Sequence, residues 1–450
     1  MNATARLPWL PGFPVSVSAT AMALTLTLTL TAGLAGSALS AGCAAPDLSK
    51  VPADPLVQSF EADVQFLSSY APVEILEIPG EGRIAVSAEY QGRVMTSAFG
   101  PGGTSLGYVN HKFIAEGKTG TAFDNFGGED RFWLAPEGGQ FALYFPVGPD
   151  ASLTREEWRV PAEFGKGAWD MRRERDGTIS FRRNFTVTNR SGASFEVGVH
   201  RKVRLLHLGD LATRYGVVMP AGAKFVGFES VNTITNIGDK SWTPATGLPA
   251  IWSAGMFPPR PGSFAAIPFH KDPAEGVFVN TKYFAEPPAD RFSWRREDGF
   301  GLMKLDGLFE AKIGAPRDRT TGMLASYGLL PDGAGLLTVV ATTIPGGKPG
   351  YTNNSWESVQ ADPFGGDAVN IYNAGPVIIP NKENPDLPPT IIPGGFYELE
   401  TLSAAAQLNP GESIHHTHTT IHFTGEPGHL DYIGRKVVGI PAGRLAAGVR

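Results

Sequence analysis

Residues 413–423 read SIHHTHTTIHF and hold four of the nine histidines in the chain. Imidazole both carries protons near neutral pH and binds metals, so this run points to a metal site or a proton relay. Side chains alternate faces along a strand. His416, His418, Thr420 and His422 then share one face. His415, Thr417, Thr419, Ile421 and Phe423 share the other, whose apolar end points inward with His415 at its head. His-x-His supplies two metal ligands, but His422 lies too far along to join them and no third ligand follows by spacing. No metal and no other cofactor is therefore expected. The preceding strand, FYELETL, places Glu398 and Glu400 on one face, about 7 Å apart along the chain. A carboxylate beside its like has a raised pKa, which suits one of the two to general acid or base work. Glu398 and Glu400 are the catalytic candidates, with His416 and His418 lining the same cleft.

A second segment, FGGEDRFWLAPEGGQFALYFP (126–146), sets Glu129, Arg131 and Trp133 on one face and Asp130, Phe132 and Leu134 on the other. An indole stacks on the apolar face of a pyranose, and charged groups give directional hydrogen bonds to hydroxyls. Glu129, Asp130, Arg131 and Trp133 are read as substrate-binding residues. His111, in the strand-like GPGGTSLGYVNHKFI, is added to them; that loop lacks the Gly-Lys-Ser/Thr of a phosphate loop. Asn354 and Trp356 of YTNNSWESVQ suit hydroxyl binding. Trp252 and His270 bracket a long loop. His270 is followed by FVNTKYF, a strand with Asn280, Lys282 and Phe284 on one face.

The elements that must position these residues are mostly strands. Short alternating runs bounded by Gly, Pro, Asn or Asp recur along the chain, among them RIAVSAEY, GQFALYF, TISFRRNFTVTN, LLTVVATTI and AVNIYN. With 55 Gly and 37 Pro in 450 residues, this is an all-β pattern, antiparallel because the connections are too short for crossover helices. The best helix lies near 55–71, and no C-terminal helix is evident. Residues 75–450 read as one domain, preceded by a linker and helical segment over 43–74.

Residues 1–42 read as a secretory signal, with Arg6 before an apolar and Thr-rich run ending at SAGC. Cys43, the only cysteine, is the expected lipidation site, as in bacterial lipoproteins. The expectation is an exported protein, periplasmic or anchored to the outer membrane by that lipid alone, with no later apolar run of spanning length. A net charge of -6 and the absence of any Lys/Arg run argue against a nucleic-acid partner.

Four strings, GGTSLGYVN, GGEDRFWLAPEGGQF, TNIGDKSW through GMF, and FYELETLSAAAQLNPGESIHHTHTTIHF, resemble an uncharacterised family of exported bacterial proteins with a galactose mutarotase-like domain. The resemblance covers about residues 75–430 and implies a β-supersandwich like that of aldose 1-epimerases. It also implies a late-chain glutamate base, here Glu398 or Glu400, and a mid-chain histidine acid, here His270 or His200. The expected function is a carbohydrate-active enzyme of the cell envelope, of epimerase, lyase or hydrolase type. The alternative is a non-catalytic carbohydrate-binding lipoprotein.

Overall fold

The structure, a computed structural model, describes residues 58–117, 125–148, 153–270, 279–284, 286–295, 297–347, 349–379, 390–392 and 394–449. Residues 1–42, read above as a secretory signal, and Cys43 lie outside those residues. The strands pair antiparallel and form two main sheets. The larger has ten strands, in the order Phe292–Arg295, Phe300–Lys304, Phe264–Pro268, Met323–Leu329, Gly335–Ala341, Ser413–Gly425, Lys224–Asn236, Ser194–Leu205, Ile179–Thr188, Asp170–Arg173. The smaller has five: Ala311–Pro316, Asp367–Asn373, Tyr397–Leu402, Ala250–Phe257, Arg131–Ala135. A three-stranded sheet over 74–98 completes the main body. The all-β, mostly antiparallel expectation holds.

The two large sheets pack face to face. Phe257, Ile313, Ile371 and Leu399 of the small sheet meet Ala265, Ile267, Leu324 and Val340 of the large one in a single apolar cluster. Period-two alternation sends the next residues of each small-sheet strand, Met256, Lys312, Tyr372, Glu398 and Glu400, to the opposite face. That outer face carries the site.

The expected N-terminal helix forms, whereas several later elements differ from expectation. The N-terminal helix is Phe60–Ser68, capped by the Ser59 hydroxyl, which accepts from Ala62 N–H (3.2 Å), with Glu61 and Asp63 in its first turn. Two helices occupy the C-terminal region, Pro427–Val437 and Ala442–Ala446. The first starts with Pro in its first turn and ends on Arg435 and Lys436, both favourable placements. Gly434 falls within its apolar stripe, between Ile433 and Val437, which hides the signal in sequence. GQFALYF forms no strand; Tyr144 instead folds back, its hydroxyl donating to Leu134 O (2.8 Å). Of FVNTKYF, residues 279–284 are turns held by an isolated bridge, Asn280 to Gly314. His111 begins a short helix, His111–Glu116, rather than lying in a strand.

The His-rich strand is central to the large sheet, and both of its faces are covered. Ile421 and Phe423 pack under Leu430, Ile433 and Leu445 of the C-terminal helices. The even face turns to the small sheet, so His416, His418 and His422 are buried there, while His415 is exposed and bonded to Thr233 (2.8 Å). The deepest part of this seam is an ion pair. Arg201 Nη2 lies 2.9 Å from Asp130 Oδ2, with both side chains 0% exposed. Arg201 also donates to Gly92 O (3.0 Å), Asn232 Oδ1 (2.6 Å) and Asp130 O (3.0 Å). Removing one partner strands a buried charge. Arg201→Met is expected to destabilise the fold by about 3–5 kcal/mol in urea unfolding at pH 7, and the double variant with Asp130→Asn by less than the sum of the singles. Additive losses would contradict the pairing.

Candidate functional site

Cross-strand register builds the pocket row by row. Arg131, Ala254, Glu400, Asn370 and Gly314 lie side by side across the five strands. The next row runs Met256, Glu398, Tyr372, Lys312, and a third pairs Trp133 with Trp252. Small Ala254 sits between Arg131 and the glutamate strand, and Arg131 Nη1 reaches over it to donate to Glu398 Oε1 (3.2 Å). Loops add the walls: Glu137, Trp158, Phe284, Trp356 and Phe396. At the mouth Arg155 pairs with Glu310, which also accepts from Tyr372 Oη (3.0 Å). The cavity encloses about 580 Å³ of non-atom space when its open mouth is counted.

Aromatic faces carry the cations. The Arg131 guanidinium lies 3.6 Å from the Trp133 ring centre, and Lys312 Nζ lies 4.9 Å from that of Trp252. Such contacts contribute about 2 kcal/mol when desolvated. Lys312 Nζ is also 2.8 Å from Glu400 Oε2, which accepts a second bond from Trp252 Nε1 (3.0 Å). Burial works against the Lys312 ammonium, but Glu400 and Glu137 outweigh it and hold its pKa above the ordinary lysine value.

Charge balance then decides protonation. Three buried carboxyls, Glu137, Glu398 and Glu400, face two buried cations, Arg131 and Lys312. Ionising all three leaves one uncompensated negative charge in a dry floor, which is costly by several kcal/mol. A proton is retained. Two donors converge on Glu400 Oε2, whereas Glu398 has one at 3.2 Å. Burial pushes Glu398 up to about 8; Arg131 pulls against this and Glu400 adds to it. Glu400 Oε1 is buried without a hydrogen-bond partner, and the Glu398 proton is the donor available to it. Burial also raises Glu137, with Lys312 opposing.

Of the expected site residues, Glu398, Glu400, Arg131, Trp133 and Trp356 come together here. Others do not. Glu129 faces the interior, where it accepts from Ser97 Oγ (2.9 Å) and lies 2.9 Å from His422 Nε2. Gly127 and Gly128, at φ 82° and 105°, break the alternation just before it; a Cβ on Gly127 would lie 2.1 Å from Tyr108 O. Asp130 is held by Arg201, as above. His111 lies 2.9 Å from Asp63 and packs on Phe66. Asn354 supports the wall from behind, accepting from Glu137 N–H (3.0 Å). His270 is exposed, its N–H bonded to Arg319 O (3.0 Å), and does not line the pocket.

His416 and His418 point away from the glutamates, into the sandwich. They share the Thr401 hydroxyl (2.7 and 2.8 Å). Burial, then His418, pulls His416 down to about 3, so it stays neutral. Among the described residues no group of three or more His, Cys, Asp or Glu is placed to hold a metal ion.

Lys312, Glu137, Glu310, Arg155 and Tyr372 were not anticipated. Only Lys312 and Glu310 left a signal, as the two charges inside the otherwise apolar run LFEAKIGAP, which must be paired if buried.

The raised Glu398 pKa fixes a pH dependence. Between about pH 4.3, the ordinary value, and 8 the folded state binds a proton that the unfolded chain has released. Stability therefore falls as pH rises through that window and the loss is complete above 8. Glu398→Gln escapes it. In urea unfolding the variant is expected to match the wild type near pH 4.5 and to gain on the order of 5 kcal/mol by pH 9; a pH-independent difference would contradict the assignment.

No curated protein matches the chain in sequence. Among solved structures it resembles a galactose mutarotase-like protein from Lactobacillus casei, with 9% identity, 78% of this chain and 100% of that chain covered, and a TM-score of 0.38. It also resembles a galactose mutarotase related enzyme from Lactobacillus acidophilus, with 9% identity, 78% and 97% covered, and a TM-score of 0.42. At these scores the likeness is loose, and the chemistry of the pocket rests on its own residues. Residues 58–447 match a family of unknown function, DUF6786, and the chain belongs to that family.

Proposed function

We propose that the protein is a carbohydrate-active enzyme of the cell envelope in which Glu398 and Glu400 move a proton on a neutral sugar. The observation that carries this reading is the pair of buried carboxyls, Glu398 and Glu400, side by side at the floor of an aromatic-walled pocket. A neutral carboxyl at pH 7 is a general acid, and its partner accepts a proton in the same step. Glu398 gives its proton to a ring or anomeric oxygen while Glu400 takes one from a hydroxyl. Arg131 and Lys312 stabilise negative charge developing on the sugar oxygens. The faces of Trp356 and Phe396 offer stacking surface for the ring. The location rests on the sequence reading of residues 1–42 as an export signal.

Substrate charge follows from pairing. With Glu398 protonated, the remaining carboxylates Glu137 and Glu400 balance Arg131 and Lys312, and Glu310 pairs with Arg155. A sugar carboxylate or phosphate would find no unmatched cation, so neutral sugars are favoured over uronates.

The test is a panel of neutral and acidic sugars followed by NMR for product formation and anomeric exchange. Turnover of a neutral sugar is expected, lowered about 10²–10⁴-fold in Glu398→Gln and Glu400→Gln. Binding without turnover would favour the non-catalytic carbohydrate-binding alternative, and unchanged turnover in both variants would refute the mechanism.

A further inference from the structure

Behind the pocket lies a second buried acid that the scheme above does not use. Asp367 is 4% exposed and Tyr283 8%, and neither lines the cavity. Tyr283 Oη donates to Asp367 Oδ2, which also accepts from Asn280 Nδ2 (3.1 Å). Asn370 Nδ2 donates to the Tyr283 oxygen (3.1 Å). The Tyr283 ring in turn lies under Lys312, with Nζ 5.3 Å from its centre. Lys312 is thus held between the rings of Trp252 and Tyr283 with its charge on Glu400.

The backbone is arranged to allow this. Asp367 pairs beyond a register shift between Ala315 and Pro316, which brings its carboxyl to the face of Asn370. There it occupies the space above Gly314, where a Cβ would lie 2.2 Å from Asp367 Oδ2 and 2.3 Å from Asn370 Nδ2. Gly314 also clips the segment bearing Tyr283 to the sheet, since Asn280 N–H donates to Gly314 O (2.7 Å) and Gly314 N–H to Asn280 O (2.9 Å). One glycine therefore admits both halves of the pair.

We propose that Asp367 and Tyr283 are a positioning pair that fixes the Lys312 ammonium against Glu400 and couples the charge of Asp367 to the proton held in the pocket. The titratable groups facing Asp367 are Tyr283 from the 279–284 segment and Lys312 from the neighbouring strand, with Glu400 beyond Lys312 on the next. Burial lifts the Asp367 carboxyl to about 6, with the Tyr283 and Asn280 hydrogen bonds and Lys312 opposing. Its charge therefore changes just below neutral pH, and the Lys312 environment changes with it. The catalytic meaning of this coupling rests on the acid–base reading above; the coupling itself does not.

The test is ¹⁵N NMR of the lysine ammonium in ¹⁵N-lysine-labelled protein between pH 5 and 8, with Lys312→Met providing the assignment. The wild-type Lys312 signal is expected to inflect near pH 6, and Asp367→Asn to lose that inflection. Tyr283→Phe, a milder change, is expected to shift it. A Lys312 signal flat through pH 6 in the wild type, or an inflection unchanged in Asp367→Asn, overturns the proposal without any substrate. If no sugar in the panel is turned over, the enzymatic reading fails while this titration still decides the coupling. Where a sugar is turned over, Asp367→Asn is expected to lower kcat about tenfold with KM unchanged and to remove the acid limb near pH 6.

Discussion

Burying two glutamates on one face of a central strand imposes a constraint that the rest of the site answers. Each carboxylate taken from water costs several kcal/mol unless charge or hydrogen bonds replace the solvent. The strands flanking Tyr397–Leu402 supply Lys312 two strands to one side and Arg131 two strands to the other. Those cations need their own cover, and Trp252, Trp133 and Tyr283 provide it through their faces. With Glu137 also facing inward, negative groups outnumber positive ones, and a retained proton closes the difference. The aromatic walls and the proton have one cause.

The polar residues between the sheets play a different part. Asp130 with Arg201, Glu129 with His422, and the Thr401 hydroxyl shared by two histidines form a seam of paired polar groups, in which Glu129 Oε1 and His418 Nε2 are left without a hydrogen-bond partner. Matched buried polar groups add little net stability, but a mismatch is expensive. A one-residue slip of the glutamate strand would send Glu398 and Glu400 into this seam and Thr401 out of it. Register is therefore specified from both faces of the small sheet, which keeps the pocket residues in their rows.

Much of the pocket was legible in the sequence because alternation is local. Glu398 with Glu400, and Arg131 with Trp133, follow from period two alone. What alternation cannot supply is which face meets which neighbour. His416 and His418 share a face as expected, yet that face turns inward, because the C-terminal helices cover the other side over Ile421 and Phe423. Glu129 does not share the phase of Arg131 because it sits in a bend ahead of the strand Arg131–Ala135, so alternation does not carry across it. Lys312 and Glu137 lie 88 and 263 residues from Glu400 in sequence, and no local pattern links residues so far apart. The strands were readable, and the partners across them were not.

The central claim is that the pocket holds a proton on Glu398 at neutral pH. The direct measurement is difference infrared spectroscopy of the protonated-carboxyl stretch, taken from pH 5 to 10 on the wild type and on Glu398→Gln. A band that persists at pH 7, disappears with a midpoint near 8 and is absent from the variant is the predicted result. A wild-type spectrum with no protonated carboxyl above pH 6 would contradict the account.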